Sequence, residues 1–356
     1  MKCEKTNKRL FYFVVVSALL LAAPVLGADK AAKQTDAAAR SNGRIAFRVV
    51  MVEDEDGDPA AAGKLAAKKL LAAMGDVALK AVLVSECFED WEYKQPLLEG
   101  ICSQIPKDIV FGGATYGSFC QVGCTDFDAV CLLGIGGPGI SVSSALVTEL
   151  GTSKLSFEEH EQEIARRLQA GGARLANELS RTDRDRLCVL IADAHSPKNQ
   201  HLVEGVQKVL GRQFPITGGS ANKNAGQTYV YFQGKAYQDS AFALMLSGDF
   251  RVSLSGRKAM DNDQVIVTAG QAAAKALSNF RGAPRAVLAF NCAGRRGKLK
   301  DPQEELAAIQ KVLGHELPLF GCYCAGEVGP LDVAEKDPAA LSGGGGWHVM
   351  FTLIGQ

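Results

Sequence analysis

Leu317-Pro318-Leu319-Phe320-Gly321-Cys322-Tyr323-Cys324-Ala325-Gly326-Glu327-Val328-Gly329-Pro330 is the stretch from which the fold can be read. A short apolar run ends on a glycine, and a turn follows with two cysteines, a tyrosine and one acidic side chain. Two earlier stretches share this form: Ile109-Val110-Phe111-Gly112-Gly113-Ala114-Thr115-Tyr116-Gly117 and Phe214-Pro215-Ile216-Thr217-Gly218-Gly219-Ser220-Ala221-Asn222. Each reads as a strand end whose glycine permits a tight turn. The three turns are expected to line one shared cleft.

Outward from these turns the chain repeats itself. Ala81-Val82-Leu83-Val84, Cys188-Val189-Leu190-Ile191 and Ala286-Val287-Leu288-Ala289 are short buried strands, each followed by a polar loop, an amphipathic helix and one of the glycine turns. Leu97-Leu98-Glu99-Gly100-Ile101 matches Leu202-Val203-Glu204-Gly205-Val206, and Gln207-Lys208-Val209-Leu210-Gly211 matches Gln310-Lys311-Val312-Leu313-Gly314. Leu202, Val203, Val206, Val209 and Leu210 share one helical face, so that helix must pack on a sheet. Each copy carries an earlier helix, at 59–74, 157–179 and 269–280. Each closes with a further strand, around Val130–Leu133, Phe242–Leu246 and Val349–Leu353. The predicted fold is α/β, with mixed β-sheets flanked by helices. It is built from β-α-β-α-β-β units near 44–145, 146–257 and 258–356.

A chain of 356 residues with 47% hydrophobic and 22% charged side chains can bury a substantial core. The net charge is zero, so no basic excess argues for a nucleic-acid partner. Lys2, Lys5, Lys8 and Arg9 precede an apolar run from Leu10 to Leu26, and Val25-Leu26-Gly27 offers a cleavage site. Residues 1–27 are therefore expected to be a signal peptide, with an N-terminal membrane anchor as the alternative. Residues 28–43, rich in alanine and polar groups, read as a flexible tether to the exported domain. Ten cysteines become nine without Cys3, an odd number that leaves at least one free thiol. Their spacing forms no zinc knuckle, and Cys131 and Cys188 lie in apolar strands as small hydrophobes. The acidic loop Glu53-Asp54-Glu55-Asp56-Gly57-Asp58 lacks the spacing of an EF-hand. No metal and no cofactor are expected.

Gly134-Ile135-Gly136-Gly137-Pro138-Gly139 contains a G-x-G-x-x-G. Its counterpart in the second copy, Leu246-Ser247-Gly248-Asp249-Phe250, is a strand-to-strand turn, so a dinucleotide site is not expected. Ser342-Gly343-Gly344-Gly345-Gly346 lacks the lysine and helix of a phosphate cradle. A thiol-dependent enzyme or redox protein using Cys292 or Cys324 is the enzymatic alternative, and it requires a lowered thiol pKa. The remaining polar chemistry lies at strand ends: Asp193 and His195 after the second strand, Asn291, Cys292 and Arg295 after the third, and Glu327 in the last turn. An arginine fork can hold a carboxylate while a glutamate holds an ammonium, which suits a zwitterion. An Arg295–Glu327 ion pair is the competing reading.

Phe290-Asn291-Cys292-Ala293-Gly294-Arg295 and Gly321-Cys322-Tyr323-Cys324-Ala325-Gly326-Glu327-Val328-Gly329-Pro330 resemble the C-terminal part of a FIST domain. Gly218-Gly219-Ser220-Ala221 and Phe111-Gly112-Gly113 resemble its N-terminal part. The resemblance implies an N-terminal-like domain over 44–257 and a C-terminal-like domain over 258–356. It also implies a sensory role towards small ligands such as amino acids. No segment reads as an output domain, so a membrane signalling partner is expected. The residues expected to bind the ligand are Asp193, Gly218, Gly219, Ser220, Asn291, Cys292, Arg295, Gly321, Tyr323 and Glu327.

Overall fold

The structure, a computed structural model, describes residues 45–125, 127–222, 228–334 and 336–356. The expected signal peptide and tether lie outside the described residues. The first copy contains β1 (Ala46–Glu53), α1 (Pro59–Met74), β2 (Leu79–Glu86), α2 (Lys94–Cys102), β3 (Val110–Ala114), β4 (Ser118–Cys120), β5 (Gly123–Thr125) and β6 (Ala129–Gly136). The second has β7 (Ile140–Val147), α3 (Phe157–Glu178), β8 (Asp185–Ala192), α4 (Asn199–Leu210), β9 (Ile216–Ser220), β10 (Val230–Phe232), β11 (Lys235–Tyr237) and β12 (Ala241–Gly248). The third has β13 (Arg251–Lys258), α5 (Asn262–Asn279), β14 (Pro284–Cys292), the single-turn α6 (Ala293–Arg296) and α7 (Pro302–Leu313). It ends with β15 (Leu319–Cys324), β16 (Glu327–Gly329), β17 (Gly343–Gly345) and β18 (His348–Gly355).

The α/β reading holds, and the repeat is larger than expected by one short hairpin. Each copy sends that hairpin into another copy's sheet. The first sheet runs β1-β6-β2-β3-β10-β11, the second β17-β16-β9-β8-β12-β7 and the third β13-β18-β14-β15-β4-β5. Copy one thus completes sheet three, copy two completes sheet one, and copy three completes sheet two. The exchange runs around a closed cycle. Gly134–Gly139 is indeed a strand-to-strand turn, and β7 belongs with β12, Val147 opposite Ala241.

Helix ends follow local chemistry. Asp58 caps α1, accepting from the Ala61 amide at 2.9 Å, with Pro59 in the first turn. Asp301 and Pro302 repeat the device at α7, and Gly314 ends it. The same loop accounts for the acidic run, since Asp54 Oδ1 accepts from the amides of Asp56 and Asp58. Each sheet is apolar on both faces. Each outer face is covered by a helix pair, which buries Leu70 and Leu97, Leu168 and Leu202, or Ala272 and Leu306 against it. The inner faces meet in one core with Leu83 and Phe111, Val189 and Phe242, and Leu288, Phe290 and Met350.

Gly112 and Gly218 lie where β3 and β9 run beside β2 and β8, with φ of 151° and 154°. A Cβ there would stand 2.0 Å from the Val84 carbonyl oxygen and 1.8 Å from that of Leu190. Neither the dihedral nor the space tolerates a side chain. Gly218→Ala is expected to cost about 2–4 kcal/mol, read as a lower denaturation midpoint. A wild-type midpoint would contradict this close strand packing.

Candidate functional site

Arg295 is fully buried and its fork is filled from within the fold. Nε donates to Asn291 Oδ1 at 2.9 Å, Nη1 to Thr268 Oγ1 at 3.0 Å, and Nη2 to the Val265 carbonyl at 2.7 Å and Glu305 Oε1 at 2.9 Å. Glu305 Oε2 in turn accepts from Asn291 Nδ2 at 2.8 Å and the Tyr323 hydroxyl at 3.0 Å. This network ties α5, β14, α7 and β15 together. Arg295, Asn291 and Tyr323, expected to touch ligand, are instead spent on one another and on Glu305. The competing reading, an Arg295–Glu327 ion pair, is corrected to Arg295–Glu305.

Glu327 is also fully buried. One carboxyl oxygen accepts from the His348 amide at 3.0 Å, and the Cys292 thiol is the side chain that bonds the carboxyl group. Burial pushes its pKa well above the ordinary 4.5, against weaker lowering by the His348 amide and by Cys292. The folded protein therefore holds this proton to higher pH than the unfolded chain does. Its contribution to stability is full below about 4.3, the unfolded value, and is lost as pH rises towards the folded pKa. Glu327→Gln should flatten this part of the stability–pH curve, measured by urea unfolding from pH 4 to 8. An unchanged curve would contradict it.

Cys292 and Cys324 are buried as well. All nine described cysteines are free thiols. Burial, and then the neighbouring Glu327, pushes Cys292 up to about 11. Cys324 is raised well above its ordinary value, first by the hydrogen bond with Cys322 and then by burial, and the two sulfurs lie 3.5 Å apart. Neither Cys292 nor Cys324 has the lowered thiol pKa that the enzymatic alternative needs. The three glycine turns do converge, but not on an open cleft. Gly219, Ser220, Phe290 and Cys322 wall an interior space of about 20 Å³, room for a single water. Gly218 and Gly321 are core backbone as well.

Of the expected ligand residues, Asp193 faces a cavity of useful size. The pocket is about 580 Å³ and opens at the carboxyl end of β8, between the loop Gly151–Leu155 and the residues before β12. Asp193, His195, Lys198, Thr228 and Asp239 bring the polar chemistry. Asp193 Oδ2 accepts from the Asp239 amide at 2.8 Å, and burial raises its pKa. His195 Nε2 lies 4.0 Å from Asp193 Oδ1 and 2.9 Å from the Ala221 carbonyl, which fixes that nitrogen as a donor. Lys198 Nζ donates to the Thr152 carbonyl at 2.8 Å, and burial lowers its pKa while Asp193 and Asp239 oppose the shift. Asp239 itself is structural. At φ 46° it accepts from the Gly151 and Thr152 amides and the Ser153 hydroxyl, shaping the pocket rim. Lys198, which is not among the expected ligand residues, also lines this pocket.

The repeat explains why the pocket is in copy two. The Asp193 amide donates to the Ser240 carbonyl as the Cys87 amide does to Ala129, so Cys87, Asp193 and Cys292 are equivalent positions. In copy three the place of Asp239 belongs to Trp347, φ 64°, whose amide points at the Cys292 sulfur and whose ring stacks near Lys298 at 6.0 Å. That indole packs against Gly294. In copy one the Cys87 sulfur binds the Phe127 carbonyl at 2.6 Å. Among the described residues no group of three or more His, Cys, Asp or Glu is placed to hold a metal ion.

Comparison with known proteins matches the FIST N domain over residues 80–271 and the FIST C domain over residues 251–330. No curated protein matches the sequence. Among solved structures, a cyanuric acid hydrolase from A. caulinodans is similar at 11% identity and TM-score 0.41, covering 88% of this chain and 99% of that one. A second cyanuric acid hydrolase, described as an innovation by structural concatenation, has the same identity and coverage and a TM-score of 0.45.

Proposed function

The chain belongs to the FIST family, and from that membership we propose that it is a non-enzymatic binding protein for a small ligand, an amino acid or related small carboxylate, held in the pocket at Asp193. Family membership supports the sensory role. The observation that carries the site is the pairing, in one pocket of about 580 Å³, of a carboxyl group and an ammonium group that burial penalises in the empty state. A zwitterion offsets both penalties: its ammonium takes Asp193, and its carboxylate takes Lys198 with His195 alongside. The glycine turns keep the scaffold rigid and make no ligand contact.

The basic and apolar N-terminal segment supports export to the periplasm or the cell exterior. An exported sensor passes its signal to a membrane partner, and we place that partner's contact with the bound form. The test is thermal unfolding against a panel of amino acids and small carboxylates. At a hundredfold excess over Kd a true ligand stabilises the protein by about 2.7 kcal/mol. Lys198→Met should remove the shift and leave the unliganded transition in place. A panel without any stabilising compound would overturn the reading.

A further inference from the structure

We propose that Lys198 is an imine-forming lysine, and that the pocket captures small carbonyl compounds (aldehydes or 2-oxo acids) covalently and reversibly. The inference rests on the pocket being the ligand site, though not on which ligand it holds. Two features set Lys198 apart. Its amine is in a pocket large enough for a second reactant, tethered by one hydrogen bond to the Thr152 carbonyl. Lys94, by contrast, is buried and committed to Glu86 and the Phe88 carbonyl. Asp193 and His195, two groups able to carry protons and 4.0 Å apart, line the same pocket.

Imine formation needs a neutral amine to attack and an acid to release water. Burial moves both members in the required direction, Lys198 towards the free amine and Asp193 towards the protonated acid. The amine lone pair forms the C–N bond as the carbonyl π bond breaks, and the nitrogen proton passes to the alkoxide. The resulting carbinolamine then loses its hydroxyl as water, taking one proton from Asp193 or His195. The nitrogen lone pair closes the C=N bond, leaving a protonated imine opposite a carboxylate. In reverse, water adds to the protonated imine and the proton returns to the group that supplied it, so no oxidant or reductant is consumed.

The test treats the purified full chain with pyruvate, glyoxylate or acetaldehyde and then with borohydride, which reduces any imine to a stable amine. Peptide mass mapping is expected to find the adduct at Lys198 severalfold above every other lysine. That excess should vanish when the same reaction is run in urea, where all lysines are alike. Lys198→Arg should give no adduct at this position. Asp193→Asn should lower the yield severalfold. No adduct, or adducts spread evenly over surface lysines in the folded protein, would overturn the inference. Stabilisation by amino acids without an adduct would remove the imine chemistry and keep the binding function. An adduct without any amino-acid stabilisation would do the reverse.

Discussion

Arg295→Ala should destabilise the protein by about 3–5 kcal/mol, the cost of leaving a buried carboxylate without its counter-charge. Glu305 would keep only the Asn291 amide and the Tyr323 hydroxyl as donors, in a site from which water is excluded. The Val265 carbonyl and the Thr268 hydroxyl would each lose their guanidinium donor as well. Because Arg295 and Glu305 act as one unit, Arg295→Ala and Glu305→Ala combined should cost clearly less than the sum of the two single changes. Urea unfolding of the four proteins measures this cycle. An Arg295→Ala protein with wild-type stability would contradict the network.

The exchange of hairpins predicts an equally large effect. Fragments 45–250 and 251–356 should each fail to fold alone and should recover a cooperative transition when produced together. Without β16 and β17 the edge of β9 is bare, and without β4 and β5 the edge of β15 is bare. Such open edges in apolar strands favour aggregation. A single side chain gives the graded version. Phe119 of copy one is 1% exposed and its ring lies 5.3 Å from that of Tyr323 in copy three. Phe119→Ala should cost about 3–5 kcal/mol, with loss of hydrogen-exchange protection in β15 as well as in its own hairpin. Independent folding of either fragment would contradict the cyclic exchange.

Much of this architecture was legible in the sequence. Repeated apolar runs and matching helix segments fix the alternation, and helix faces such as Leu202, Val203, Val206 and Leu210 are buried as the spacing requires. The exchange was not legible. Ser118–Cys120, Val230–Phe232 and Glu327–Gly329 are three-residue strands, too short to show a period, and their choice of sheet is set by tertiary packing. The site was legible in one residue. Asp193 ends a buried strand, where open sheets place ligands. Arg295 ends one too, but its partner is on the following helix. The one signal for that was Glu305, an acid beside Leu306 on the face that must be buried. Lys198 stands five residues after Asp193, but its hydrogen-bond partner Thr152 is 46 residues away along the chain, which hides their meeting in the pocket.

The central claim is that ligand binds at Asp193 and that the Arg295 network is structural. Thermal unfolding of Asp193→Asn and Arg295→Ala beside the wild type, each with and without a stabilising amino acid or carboxylate, tests it most directly. Asp193→Asn should unfold near the wild-type temperature and lose the ligand-induced increment. Arg295→Ala should unfold at a lower temperature and keep that increment. The reverse pattern, with the increment retained in Asp193→Asn and lost in Arg295→Ala, would contradict the account.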